Sequence, residues 1–174
     1  KTTVIGIPDK TYAYWPSPKN NATDVSPSAE LTWYPGEGAK VSGGQAIYLG
    51  TSFSDVNDGV VPLVIQDGSS WDPPGELLLG QTYFWRIDTI GDSETWKGKI
   101  WSFTVDDGSA KNPDPADKAK DVDVTSELTW TPGLYAASHE IYIGTDPAEV
   151  ENATVPSAVK SLGDESYSPP LSYG

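Results

Sequence analysis

Hydrophobic and polar residues alternate along this chain in short bursts, each closed by a turn signal. Residues 30–33 (ELTW) alternate polar with apolar side chains and run into Pro35-Gly36, the pattern of a half-buried strand that ends in a turn. Residues 45–49 (QAIYL), 60–65 (VVPLVI), 82–90 (TYFWRIDTI) and 99–105 (KIWSFTV) are rich in β-branched and aromatic types, which suit a pleated surface. Between them lie Gly43-Gly44, Asn57-Asp58-Gly59, Asp72-Pro73-Pro74-Gly75 and Gly91-Asp92. No long stretch carries a 3.6-residue apolar period, so strands are predicted throughout. Several short strands within about 90 residues predict an all-β chain built as antiparallel sandwiches.

The pattern also occurs twice. Residues 16–36 (PSPKNNATDVSPSAELTWYPG) return 97 positions later as 113–133 (PDPADKAKDVDVTSELTWTPG), with 11 of 21 positions identical. After a three-residue shortening, 47–51 (IYLGT) becomes 141–145 (IYIGT) and Val56 becomes Val150. A repeat of this length is a small domain, so the chain reads as beads in tandem. The first bead spans 16–105, residues 106–112 (DDGSAKN) form a polar linker, and the second bead spans 113–174.

Residues 167–170 (YSPP) match 71–74 (WDPP) and 171–174 match 77–80, but nothing follows to match 81–105. The second bead is therefore expected to lack its last two strands. Burying one large apolar side chain contributes about 1.5–3 kcal/mol, so losing several would exceed a domain's net stability of about 5–15 kcal/mol. The leading expectation is that the sequence is an excerpt of a longer array. Poor order of the second copy in isolation is another reading, and completion by a strand from another molecule is a third. Segment 1–15 is expected to be extended, and its apolar residues 2–7 (TTVIGI) offer such a strand to a preceding or neighbouring module. Head-to-tail donation would build a filament, although one strand is offered where two are missing.

Residues 79–87 (LGQTYFWRI) resemble the penultimate strand of fibronectin type III domains, with a turn leucine, a glycine, the corner tyrosine Tyr83, then an inward aromatic and an inward aliphatic residue. With 16–18 (PSP), 31–33 (LTW) and 101–103 (WSF), the chain is similar to the fibronectin type III-like, Ig-like repeats of bacterial multidomain secreted proteins. The resemblance implies two tandem β-sandwiches, the second truncated, used as spacers, adhesive modules or accessory domains beside hydrolases. It brings no catalytic residues.

Charge and composition narrow the partners. The formal charge is −14, from 25 acids against 11 Lys and Arg, and Arg86 is the single arginine. Nucleic acid is excluded as an expected partner for want of clustered cations, and an anionic membrane surface is disfavoured likewise. No run approaches the length of a membrane span, so no insertion is expected. The acidic surface fits a soluble, extracellular or cell-surface protein. The absence of Cys and Met removes disulfides, thiol chemistry and sulfur oxidation. Residues 55–59 (DVNDG) lack a calcium loop's downstream Glu and read as a turn. Asp106-Asp107, with Asp88 or Asp92, could share a structural calcium between beads; no other metal or cofactor is expected.

His139 is the only histidine. It is expected to face solvent, and without partners of recognisable spacing it supports no triad or metal site. Trp33 and Trp130 recur at one repeat position and are expected in the cores, as are Trp85 and Trp101. Trp71, matched by Tyr167, is expected to plug the sandwich end. Trp15 and Trp96 have no aromatic counterpart in the other copy. With Tyr12 and Tyr14 they are the candidate contact surface for a sugar ring or a partner, against the plainer reading of packing onto a neighbouring bead. The expected function is a non-enzymatic structural or spacer module of a surface or filament-forming protein, with strand complementation as a route of assembly. The alternative is a polysaccharide-binding accessory module of a secreted hydrolase.

Overall fold

The computed structural model describes residues 11–170. The strand expected at 2–7 and the match of 171–174 to 77–80 lie outside the described residues. Contacts cluster into two compact units that divide between Asp107 and Gly108. In the first, the elements in chain order are β1 (Tyr14–Ser17), β2 (Ala22–Val25), β3 (Leu31–Tyr34), β4 (Gln45–Gly50), α1 (Phe53–Asp58), β5 (Leu63–Gln66), β6 (Ser70–Trp71), β7 (Thr82–Ile90), β8 (Thr95–Trp96) and β9 (Trp101–Val105). The second holds β10 (Lys111–Asp114), β11 (Leu128–Thr131), β12 (Ser138–Ile141), α2 (Pro147–Glu151), β13 (Ala158–Ser161) and β14 (Ser166–Tyr167). The chain is predominantly β.

In the first unit one sheet runs β1-β3-β6 and the other β2-β9-β7-β4-β5, with β8 attached to β7. The alternation read from the sequence decides which side chains meet between them. On β3, Leu31 and Trp33 are buried; on β9, Trp101, Phe103 and Val105 are buried while the intervening Ser102 and Thr104 are partly open. Leu31, Trp33, Ile47, Trp85, Ile87, Trp101 and Phe103 form one apolar cluster drawn from both sheets, the period-two consequence of a sheet with one face on the core. Trp85 is fully buried, its ring 6.3 Å from Trp33 and 4.8 Å from Trp101. Trp33 Nε1 donates to Gln45 Oε1 at 2.9 Å, so the indole's one polar atom is satisfied where water is absent. Tyr83 stacks on Phe103 at 5.7 Å, and its hydroxyl accepts from the backbone N–H of Leu78 at 3.2 Å.

The other face of β7 carries Phe84, Arg86 and Asp88, and Arg86 and Asp88 are buried. Arg86 Nε donates to Asp88 Oδ1 at 2.8 Å and Nη2 to Asp88 Oδ2 at 3.1 Å. Its Nη1 donates to the carbonyls of Val56 and Asn57, and the guanidinium lies 4.3 Å from the Tyr48 ring centroid. Those carbonyls belong to the open C-terminal end of α1, where a cation is favoured. Residues 55–59 are thus not the plain turn expected: 55–58 lie in α1, which is started by the Ser52 cap and ended by Gly59 at φ 71°, a conformation suited to glycine. Asp88 also accepts from Gly98 N at 2.8 Å. Its carboxylate is committed to these partners, which removes it from the interdomain calcium set considered above.

The second unit repeats the first in part. β10, β11 and β14 pair as β1, β3 and β6 do, with Leu128 opposite Tyr167 where Leu31 stands opposite Trp71. Asn112, Lys118 and Asp121 take φ of 50°, 61° and 56°, against 51°, 62° and 55° for their repeat counterparts Trp15, Asn21 and Asp24. β12 and β13 correspond to β4 and β5 but form a two-stranded sheet. Two expectations fail here. His139 is buried, with 8% of its surface exposed, and its ring packs edge-on at 5.4 Å against Trp130. It occupies the place of core-facing Gln45, and the strand's alternation turns it inward with Trp130. Trp130 is only half-buried. No strand of the described residues supplies the counterparts of Trp85 and Trp101 that cover Trp33.

The buried ion pair generates a test. Arg86→Met leaves the Asp88 carboxylate unpaired, and urea unfolding of the first unit is expected to register a loss of about 3–5 kcal/mol. Because the two residues share one interaction, Arg86→Met with Asp88→Leu is expected to cost less than the two single substitutions added together.

Candidate functional site

β1 pairs with β3 antiparallel, Tyr14 opposite Tyr34 and Ser17 opposite Thr32, and the register shifts between them. That irregularity is where Trp15 sits, at φ 51°. A bulky side chain seldom adopts the left-handed region, which Asn tolerates through its short polar side chain. The bulge aims Trp15 outward, and 62% of its surface is exposed.

Trp15 does not stand alone. Its ring meets Tyr14 at 5.1 Å and Tyr34 at 5.1 Å, both edge-on, while Tyr14 and Tyr34 stack at 5.5 Å. Tyr34 is itself 55% exposed. On its other side, Trp15 borders a cleft of about 420 Å³ shared with Pro16, Lys19, Asn20 and Trp101. Asn20 Oδ1 accepts from Ser102 N at 2.9 Å, and Asn21 Oδ1 accepts from Ser102 Oγ at 2.8 Å. These bonds pin the turn after β1 against β9, and the Asn20 amide keeps its N–H groups as donor capacity. An exposed indole, a phenol pair and flanking amide and ammonium donors are the chemistry that stacks on an apolar sugar face and bonds its hydroxyls.

Among the sequence candidates, Tyr14 and Trp15 are brought together in this cluster. Tyr12 is half-buried and is not one of the three rings. Trp96 is half-buried on β8, and a Cβ built on Gly38 or Gly91 would lie 2.7 Å from its ring. Its ring therefore lies on bare backbone at two glycines, which accounts for Trp96 as packing.

Tyr34 was missed, although the signal that marked Trp15 applies to it. The second unit places Lys111, Asn112 and Thr131 at the positions of Tyr14, Trp15 and Tyr34. There Asn112 Nδ2 donates to Thr131 Oγ1 at 3.2 Å. The same bulge is thus built by a polar pair, so three aromatic rings are not what the backbone requires.

Stability measurements check this separation of roles. Trp15→Asn relieves the left-handed backbone while giving up ring contacts, so its unfolding free energy is expected to stay within about 1 kcal/mol of the parent. A loss of several kcal/mol would make Trp15 a structural residue. No protein-family model and no curated protein matches this chain.

Proposed function

We propose that the chain is a non-enzymatic extracellular structural module: fibronectin type III-like beads in tandem, within a surface or filament-forming protein. Its partners are neighbouring domains or further copies of itself. One observation carries this reading: the space between the sheets of the first unit is filled by Trp33, Trp85, Trp101 and Phe103, all buried. A sandwich packed with its own side chains has mechanical cohesion and little interior room for a substrate. The corner hydrogen bond of Tyr83 and the parallel plan of the two units support the bead identity. The formal charge of −14 favours solubility outside a cell.

Single-molecule pulling tests the structural role. The first unit is expected to give one discrete force peak that releases about 300 Å of chain, from about 3.3–3.6 Å per residue. Extension without a peak would remove the reading.

The aromatic cluster favours a second reading, a polysaccharide-binding accessory role centred on Trp15. In affinity electrophoresis through polysaccharide gels, Trp15→Ala is expected to weaken retention at least about tenfold, equivalent to about 1.4 kcal/mol. Tyr34→Ala should weaken it less, and Trp96→Ala should leave it unchanged. A parent protein that migrates freely through every gel retires this role.

A further inference from the structure

The cleft beside Trp15 offers polar groups of one kind. Lys19 is the only charged residue among those that line it, and both Lys19 and Asn20 are exposed. Among the described residues no carboxylate pairs with the Lys19 ammonium, although acids outnumber Lys and Arg by 25 to 11 along the chain. The nearby acceptors are already engaged. Asn20 Oδ1 takes the N–H of Ser102 at 2.9 Å, and the Lys19 carbonyl takes that of Ala22 at 2.9 Å. What Lys19 and Asn20 present outward is therefore an ammonium and an amide NH₂, both donors.

The second unit shows that the turn itself does not require this set. Ala116 and Asp117 stand where the first unit has Lys19 and Asn20, and Asn112 stands where it has Trp15. The left-handed residues of the turn are nevertheless the same in both. There the cation is Lys118, whose Nζ lies 3.3 Å from Asp117 Oδ2, so charge is balanced within the turn. Ammonium, amide and exposed indole come together in the first unit alone, on a backbone that forms without them.

We infer that this cleft takes a uronate residue of an acidic polysaccharide, its apolar ring face on Trp15 and its carboxylate on Lys19 Nζ and the Asn20 amide. The inference rests on the polysaccharide-binding reading of Trp15 and specifies the class of sugar. A neutral sugar presents hydroxyls, each bringing a donor as well as an acceptor. A cleft whose free polar groups are donors leaves those hydroxyl protons to water. A carboxylate is acceptor-only, and its bonds to an ammonium and an amide are charge-assisted. The formal charge of −14 opposes the approach of a polyanion. At about 0.15 M salt the screening length is about 8 Å, so distant acids are damped while direct contact with Lys19 is kept.

The test measures binding of the full chain to immobilised polygalacturonate, alginate and glucuronan at about 0.15 M salt. Each polymer is compared with its methyl ester, which keeps the sugar rings and removes the charge. At least one acidic polymer is expected to bind, at least about tenfold more tightly than its ester. Lys19→Gln should lose that margin, whereas Lys19→Arg, which keeps the charge, should retain most of it. Lys19 is exposed, so both variants are expected to fold as the parent does. No binding to any of the three, equal binding to the esters, or a Lys19→Gln chain that binds like the parent overturns the inference. Trp15-dependent binding to neutral polysaccharides alone overturns it too, yet leaves the polysaccharide reading standing, so the two failures are distinguishable.

Discussion

The first unit depends on three interlocked tryptophans. Trp85 is fully enclosed, held between Trp33 of the opposite sheet and Trp101 of the adjacent strand. Each aromatic buries a large apolar area, and edge and tilted contacts add to that. Trp33 Nε1 is satisfied by Gln45, whereas the buried Nε1 of Trp85 has no hydrogen-bond partner among the described residues. Two sheets that share such a cluster cannot slide, because a one-residue slip on β7 would exchange Trp85 and Ile87 for Arg86 and Asp88.

Arg86 and Asp88 close the opposite face in a different way. Instead of an apolar layer, a paired guanidinium fastens α1 to the sheet through carbonyls at the helix end. The chain's only arginine is therefore structural. Its planar fork reaches one carboxylate and two carbonyls together, which a lysine ammonium could not match in geometry. The strongly acidic surface and the neutralised interior are separate features: the surface acids favour solubility, whereas Asp88 is compensated within the fold.

Comparison of the two units separates residues that build the bead from residues added to it. The bulge after β1 exists in both, once with Tyr14, Trp15 and Tyr34 and once with Lys111, Asn112 and Thr131. The aromatic version holds a large exposed indole in a backbone region that disfavours it, which is why it reads as a contact surface. The same comparison explains Trp130. Its position in the pattern is that of Trp33, but among the described residues the sheet facing it consists of β12 and β13.

Much of this was legible in the sequence by itself. Period-two alternation and turn residues located β3, β4, β7 and β9, because burial of one sheet face imposes that period directly. The duplication identified Trp33 as a core residue and singled out Trp15. Tertiary structure decided what no local pattern encodes. Whether an aromatic is covered depends on strands distant in sequence, so Trp130 and His139, expected in the core and in solvent, are half-buried and buried. The carbonyl partners of Arg86 come from a helix about thirty residues earlier, and Trp96 rests on Gly38 and Gly91. Tyr34 joined Trp15 only because antiparallel pairing placed it opposite Tyr14. Local spacing encodes which way a side chain points, whereas only the folded chain determines what it meets.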